Sequence, residues 1–220
     1  MIYEIDLLSQ STVNFLNNYY EKFTYRRGLM GETEDDRKKN KEAELDEVYI
    51  DASKLIVEKV QKHVELNDMF SIKRFTSPVF SEYETGMEYN YHNDVYCMNG
   101  VRTDLSCTCF ISDPESYEGG ELEIMMGNMP ISYKLSPGKA IIYPSSFVHR
   151  VKPVTSGRRR VVVFWIQSQL QDPTVREIHT QFSLLWIKHR ESLLNTNMEL
   201  YNGLMNLKFQ ILRTNGIFDQ

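Results

Sequence analysis

His92 and Asp94 stand two residues apart in a stretch rich in tyrosine, and on an extended backbone side chains at i and i+2 leave the same face of the strand. One imidazole and one carboxylate can therefore reach a single ion. His149 lies 55 residues beyond Asp94, too distant for a local motif but suited to a third ligand on another strand of a folded barrel. Two histidines and one carboxylate on one face leave coordination positions open, which suits a non-haem Fe(II) centre and not a closed structural zinc site.

Such a centre needs an oxidisable co-substrate, and Arg159 is the residue placed to hold one. From His149 the chain reads as a strand to Val154, a turn at Thr155-Ser156-Gly157, and a return strand over 159–168, a hairpin that would carry Arg159 back toward the metal. The planar guanidinium fork pairs with a carboxylate through two parallel bonds. Alternation sets Arg159, Val161, Val163 and Trp165 on one face and Arg158 and Arg160 on the other, so only the middle arginine should enter the pocket. The same parity points Ser106, Thr108 and Phe110 inward as pocket wall, with Leu105, Cys107, Cys109 and Ile111 against other layers. Cys107 and Cys109 are then small core thiols.

These side chains need a β scaffold. From residue 70 onward the apolar period is two and β-branched and aromatic residues dominate between Gly and Pro breaks, predicting strands at 70–75, 79–83, 89–92, 105–112, 121–125, 131–135, 139–143, 148–154 and 159–168. The expected class is α+β, mainly β, with a sandwich or jelly-roll core. Ahead of it, residues 2–7 read as a short strand. Ser11 is the expected cap of a helix carrying Val13, Leu16, Tyr20 and Phe23, and Asp51 that of a second carrying Ala52, Ile56, Val60 and Val64. His63 rides near that stripe as a packed or exposed residue. The charged stretch 31–47 is expected to be a solvated loop or frayed helix without a catalytic role, a lid being the alternative. After Pro173 two helices finish the chain, with stripes Ile178, Phe182, Leu185, His189, Leu193 and Leu200, Leu204, Leu207, Ile211. They are expected to pack on the barrel, a homodimer face being the alternative; His179 and His189 receive no ligand role. One structural unit results: 1–69 packing on the barrel, 70–170 as core, and 171–220 as a helical extension.

The 220 residues, 41% hydrophobic, suffice for a full core, and the net charge of −5 disfavours nucleic acid as a partner. An odd number of cysteines, no secretory start and no long apolar run predict a reducing cytoplasm and no membrane.

Several further segments accompany the His-x-Asp pair, the distal His149 and Arg159 ten positions beyond it: Tyr83-Glu-Thr-Gly-Met-Glu-Tyr89, Arg102-Thr-Asp-Leu-Ser106, Ile111-Ser-Asp-Pro114, Gly119-Gly-Glu-Leu122, Tyr143-Pro-Ser-Ser146 and Phe164-Trp-Ile-Gln167. In this order, over roughly residues 70–170, they resemble the prolyl 4-hydroxylase branch of the iron(II)/2-oxoglutarate dioxygenases, and within it the bacterial PKHD-type hydroxylases. The resemblance implies a double-stranded β-helix with His92, Asp94 and His149 as metal ligands and Arg159 on the distal carboxylate of 2-oxoglutarate. It also implies Tyr83 or Tyr89 as a hydroxyl on the co-substrate or at its entrance, Trp165 packed beside the metal, and ascorbate as a reductant. The implied reaction uses dioxygen to hydroxylate a C–H bond, most directly of a prolyl residue in a peptide or protein, and releases succinate and carbon dioxide.

Loops around 86–89, 96–102 and 116–120 are expected to choose the substrate. Gly119-Gly120 would allow a close turn at the pocket rim or form an ordinary hairpin turn, and Arg102 would meet substrate or pair with Asp104 or Glu88. Competing readings are the same chemistry on a free amino acid or small metabolite, a nucleic-acid demethylase, and a non-catalytic barrel. Nucleic-acid demethylases carry a second arginine where this chain has Trp165, and degenerate barrels lose a ligand or the arginine, all of which are present here.

Overall fold

The parity expected of residues 105–110 is the rule that builds the barrel wall. In the computed structural model, which describes residues 1–28 and 36–217, Cys107 and Cys109 pack outward into a core beneath helices, while Phe110 joins a second core between two sheets. Among the described residues the larger sheet has nine strands. It runs Tyr3–Asp6, Lys139–Pro144, Leu105–Phe110, Val154–Ser168, Val79–Glu84, Lys41–Ala43 and Tyr25–Arg27, and Tyr117–Gly119 and Ile72–Phe75 also pair with the long strand. The smaller sheet runs Met129–Tyr133, Leu122–Met126, His149–Val151, Glu88–His92 and Lys38–Lys39. Its concave partner is the large sheet, and Tyr83, Leu122, Ile124, Ile141, Tyr143, Val151 and Val161 fill the space between them.

Helix α1 (Gln10–Tyr20) and helix α2 (Glu47–Lys62) cover the outer face of the large sheet, with Val13, Leu16, Tyr20, Ala52, Ile56 and Val60 buried as the spacing requires. Their starts differ from expectation. Ser9 caps α1 in place of Ser11, and Asp46 caps α2 through a 2.9 Å bond from Tyr49 N, in place of Asp51. Asp46 wins because a start there brings Tyr49 into the core, where its hydroxyl reaches Pro78 O at 3.0 Å. The stripe also ends earlier: His63 breaks the helix and caps a short α3 (Val64–Phe70), accepting from Leu66 N at 3.1 Å, which leaves Val64 64% exposed.

Two larger corrections concern connectivity. The turn and hairpin expected at 155–157 do not form: Val154–Ser168 is one continuous strand, and His149–Val151 pairs instead with Leu122–Met126 and Glu88–His92 in the other sheet. The chain crosses between sheets at Lys152-Pro153, and Gly157, at φ +76°, stays in the strand opposite Tyr117. Arg159 therefore reaches the pocket from the opposite wall to His149. The charged stretch is also more ordered than its composition suggests. Residues 31–35 lie outside the described residues, but Lys38–Lys39 pairs with Tyr89 and Glu88 of the small sheet and Lys41–Ala43 with Glu82 and Ser81 of the large one. This strap ties the two sheets together, with a Lys38–Glu42 ion pair at 2.5 Å along it.

At the end of the chain α4 (Pro173–Thr196) packs on α3 and on α5 (Met198–Asn215). The buried face of α4 is Arg176, His179, Thr180, Ser183 and Trp186, not the apolar stripe; Ile178 and Leu185 are 55% and 62% exposed. The last carbonyls of α3 explain the rotation, because a helix C-terminus needs donors. Ser183 donates to Asp68 O, Thr180 to Met69 O, and His179 Nδ1 lies 3.3 Å from Met69 O. On α5 the only residue buried is Lys208, paired with Asp68 at 2.5 Å, while Leu200 and Leu207 of the expected stripe are exposed. Among the described residues no helix is long and apolar enough to cross a membrane.

Candidate active site

His92 and His149 face each other across one antiparallel register of the small sheet, so both imidazoles leave the same, inner face. Their ring centroids are 4.2 Å apart. Asp94 lies two residues past the end of the His92 strand, and its backbone N–H donates to Ser145 O at 3.3 Å, while Asn93 between them donates to Ser146 O at 2.6 Å. These bonds join the loop after His92 to the loop before His149. Asp94 Oδ1 lies 3.9 Å from His92 Nε2 and Oδ2 lies 3.8 Å from His149 Nε2, and the ligand atoms of all three residues fall within 4.8 Å of one another.

The tautomers suit a metal. His92 Nδ1 lies 2.8 Å from Asn90 O and His149 Nδ1 lies 2.9 Å from Phe147 O. A carbonyl only accepts, so both Nδ1 atoms carry the proton and both Nε2 lone pairs point at the shared centre. Burial and the neighbouring His149 hold His92 at about pH 4, so its ring is neutral and ready to ligate at pH 7. Tyr89 stacks on His92 at 3.6 Å and 12°, Tyr143 sets its edge against His149, and Ser106 donates to Asp94 Oδ2. Two neutral nitrogens and one oriented carboxylate oxygen, with the remaining directions open to the barrel, fit a ferrous ion.

Deeper in the barrel Arg159 is 1% exposed, among the described residues no carboxylate pairs with it, and its Nε and Nη1 have no hydrogen-bond partner. Its guanidinium lies 5.1 Å from the Tyr83 ring and 5.6 Å from the Phe110 ring. A buried cation without a counter-charge is costly, and a carboxylate ligand is the group that would satisfy it. Burial pushes the Tyr83 and Tyr143 phenols well above the usual range, so both stay protonated donors; for Tyr143 the charge of Asp94 adds to this. Tyr143, beside Thr108, lies between the metal end and the arginine end, with the charges of both Asp94 and Arg159 acting on it. Trp165 stands in register with Ser106 on the inner face, and its Nε1 is buried without a partner.

The structure thus gathers His92, Asp94, His149, Arg159, Tyr83, Tyr89, Thr108, Phe110 and Trp165 around one space. Arg102 is taken up elsewhere, its Nε and Nη2 both 2.8 Å from Asp104. Gly119 ends a strand, Tyr117–Gly119, that pairs with Val154–Ser168, and Gly120, at φ +67°, follows it against the Arg159 side chain, where a Cβ would stand 3.0 Å from Arg159 Cδ. Reasoning from sequence missed Tyr143, Tyr117 and the strap residues Lys38 and Asn40. Tyr143 was legible as an odd-parity neighbour of Ile141 on an inner face, but nothing local marks the strap, because its position depends on pairing with strands distant in sequence, Lys38 with Tyr89 and Lys41 with Glu82.

A profile of the 2OG-Fe(II) oxygenase superfamily matches residues 78–167. The chain is 29% identical over 213 residues to a PKHD-type hydroxylase of Sphingopyxis alaskensis, covering 95% of this chain and 96% of that one. It is 33% identical over 189 residues to a PKHD-type hydroxylase of Shewanella sp. strain ANA-3, covering 81% and 83%. Several others match at 43–52% identity over about half of either chain. In fold the chain is similar to a prolyl hydroxylase from Trichoplax adhaerens, solved with a peptide fragment of a hypoxia inducible factor oxygen degradation domain, with TM-score 0.63, 17% identity, and coverage of 83% and 86%. The ligand face, the buried arginine and these matches agree, and the chain belongs to the PKHD-type hydroxylases of the 2OG-Fe(II) oxygenase superfamily.

Proposed function

We propose that this hydroxylase acts on a prolyl residue of a peptide or protein, with 2-oxoglutarate as co-substrate and succinate and carbon dioxide as co-products. One observation carries the reading: three inward ligand atoms within 4.8 Å share a barrel with a buried arginine whose Nε and Nη1 are unpaired. His92, Asp94 and His149 would hold Fe(II), and Arg159 the far carboxylate of 2-oxoglutarate. Iron bound there supplies dioxygen activation coupled to oxidative decarboxylation, and ascorbate would keep it ferrous.

The rest falls to the protein. Asn90 O and Phe147 O keep both Nε2 atoms aimed inward, and Ser106 keeps one Asp94 oxygen occupied so that the other is presented to the metal. Tyr83, protonated because it is buried, donates to the co-substrate, while Tyr89 fixes the His92 ring from the entrance side. Thr108, Phe110 and Trp165 wall the space and keep water out of it. The prolyl assignment is supported by the likeness in fold to a prolyl hydroxylase that was solved with a peptide. Val95, Tyr96 and Val148, next to the ligands and 42%, 87% and 38% exposed, offer an apolar rim to such a chain.

The test is mass spectrometry of proline-rich peptides and lysate proteins after incubation with Fe(II), 2-oxoglutarate and air. A gain of one oxygen on proline, matched by equimolar succinate, is the expected result. Oxygen added only to free amino acids or to nucleobases would replace prolyl with that substrate, and absence of both Fe(II) binding and succinate would remove the enzymatic reading.

A further inference from the structure

Helices α3, α4 and α5 do not close on one another. Helix α4 packs on both of the others, and the space left between the three is a cleft of about 520 Å³, lined in part by Ser71, Ile72 and Gln169 where the helices meet the sheet. Small-molecule sites run to roughly 300–1,000 Å³ and often lie between helices. Three ties hold α5 away from α3. It is joined to α4 through Asn197 at one end, and at the other Ile217 N donates to Gln169 O at 2.8 Å beside a bridge between Leu170 and Gly216. Between these ends Lys208 Nζ reaches Asp68 of α3 at 2.5 Å, with its side chain 6% exposed.

The walls of the cleft combine aromatic surface with an excess of positive charge. Trp186, which is buried, and Tyr201 meet at 4.8 Å between ring centroids, and Phe209 stands on the same cleft. Among the described residues neither the Trp186 indole N–H nor the Tyr201 hydroxyl makes a hydrogen bond. The charged side chains lining the space are Asp68, Arg190 and Lys208. Asp68 answers Lys208, but its other oxygen is 3.9 Å from Arg190 Nη1, beyond hydrogen-bond reach, so the guanidinium fork is left without a hydrogen-bond partner among the described residues. His179, whose Nε2 lies 3.3 Å from Ser71 Oγ, adds no charge, because burial and the neighbouring Lys208 hold it below the usual imidazole range. One negative charge thus faces two positive ones beside an aromatic wall. A guanidinium fork pairs with a carboxylate, and aromatic faces take flat apolar groups. We infer that this cleft is a binding site, separate from the barrel, for a small planar organic acid of one negative charge, its carboxylate on Arg190 and its body against Trp186, Tyr201 and Phe209. No residue assigned to the metal or to the co-substrate lines it, so the inference stands apart from the prolyl reading.

The test is calorimetric titration of the whole protein, kept without oxygen and saturated with Ni(II) and 2-oxoglutarate so that the barrel is occupied, with 2-naphthoate and its neutral isostere 2-naphthamide as probes. The acid should bind once per chain and at least about tenfold more tightly than the amide, the scale of a hydrogen-bonded charge pair. Arg190→Leu should erase that preference and leave the amide unchanged, whereas Tyr201→Ala should weaken both probes alike. Asp68→Asn, which raises the excess from one positive charge to two, should tighten the acid several-fold and not the amide. Saturating 2-naphthoate should raise the melting temperature of wild type and not that of Arg190→Leu. Absence of binding, equal affinity for acid and amide, or binding of the acid only when the barrel is empty of 2-oxoglutarate would each overturn the inference. So would an acid affinity indifferent to both charge variants, which would put the probe elsewhere. Should Arg190→Leu instead lower ligand-free melting and weaken both probes equally, Arg190 is a packing residue and the inference fails.

Discussion

Arg159 and Arg160 are sequence neighbours on one strand, both buried, and they have opposite surroundings. Arg160 points under the helices, where Nε meets Glu82 at 2.8 Å, Nη2 meets Glu21 at 2.6 Å, and the guanidinium lies 5.3 Å from the Tyr20 ring. Arg159 points between the sheets, where two of its nitrogens meet nothing. The outer wall of the barrel satisfies its charge internally and the inner wall leaves its charge unpaired. Burial alone therefore does not separate the two arginines; the partner inventory does.

The largest effect expected is at the ligand face: His92→Ala or Asp94→Ala should abolish Fe(II) binding and bring succinate formation below detection, which a metal titration and a turnover assay would check. If either variant kept full turnover, the inner wall would be no site at all. Next, Arg160→Leu should destabilise the protein by about 3–5 kcal/mol, read by denaturant melting, because Glu82, itself 3% exposed, would be left as an unpaired buried charge. Arg159→Leu should do the reverse, leaving ligand-free stability unchanged or raised while weakening 2-oxoglutarate by roughly a hundredfold, the scale of about 3 kcal/mol for a charge-assisted pair. Equal losses of stability in the two variants would erase the contrast.

A smaller effect should appear with pH. The folded His92 titrates at about 4 against 6.5 for a free imidazole, so between these values the unfolded chain binds a proton that the folded chain does not. Stability of the metal-free protein should then rise with pH across that window and fall on acidification, by up to about 1.4 kcal/mol per pH unit. In His92→Ala that part of the slope should vanish, and an unchanged slope would show that His92 is solvated in the fold.

Much of the site was legible because its residues obey local rules. His92 and Asp94 are two apart beside an extended run, and the period of two correctly separated Arg159 from Arg160 and Ser106, Thr108 and Phe110 from Cys107 and Cys109. The hairpin reasoning that brought Arg159 to the metal was mistaken about the path yet correct about the face, since parity along a strand survives a change of pairing partner. The C-terminal helix shows the opposite failure. Its apolar stripe was easy to read, but α3 presents carbonyls where it docks, so Thr180, Ser183 and His179 turn inward and Leu185 turns out. The strap was illegible for a related reason: Lys38, Lys39 and Lys41 look solvated until the sheet edges they pair with are in place.

Sequence by itself determined the ligand types, their order, and the alternation that sorts each strand into an inner and an outer face, because these follow from side-chain chemistry and the two-residue repeat of extended backbone. Only the tertiary structure decided that His149 lies opposite His92, that Arg159 enters from the other sheet, and that Tyr117 stands beside it. Those facts depend on strand pairing between distant segments, which the pattern of any one segment does not encode.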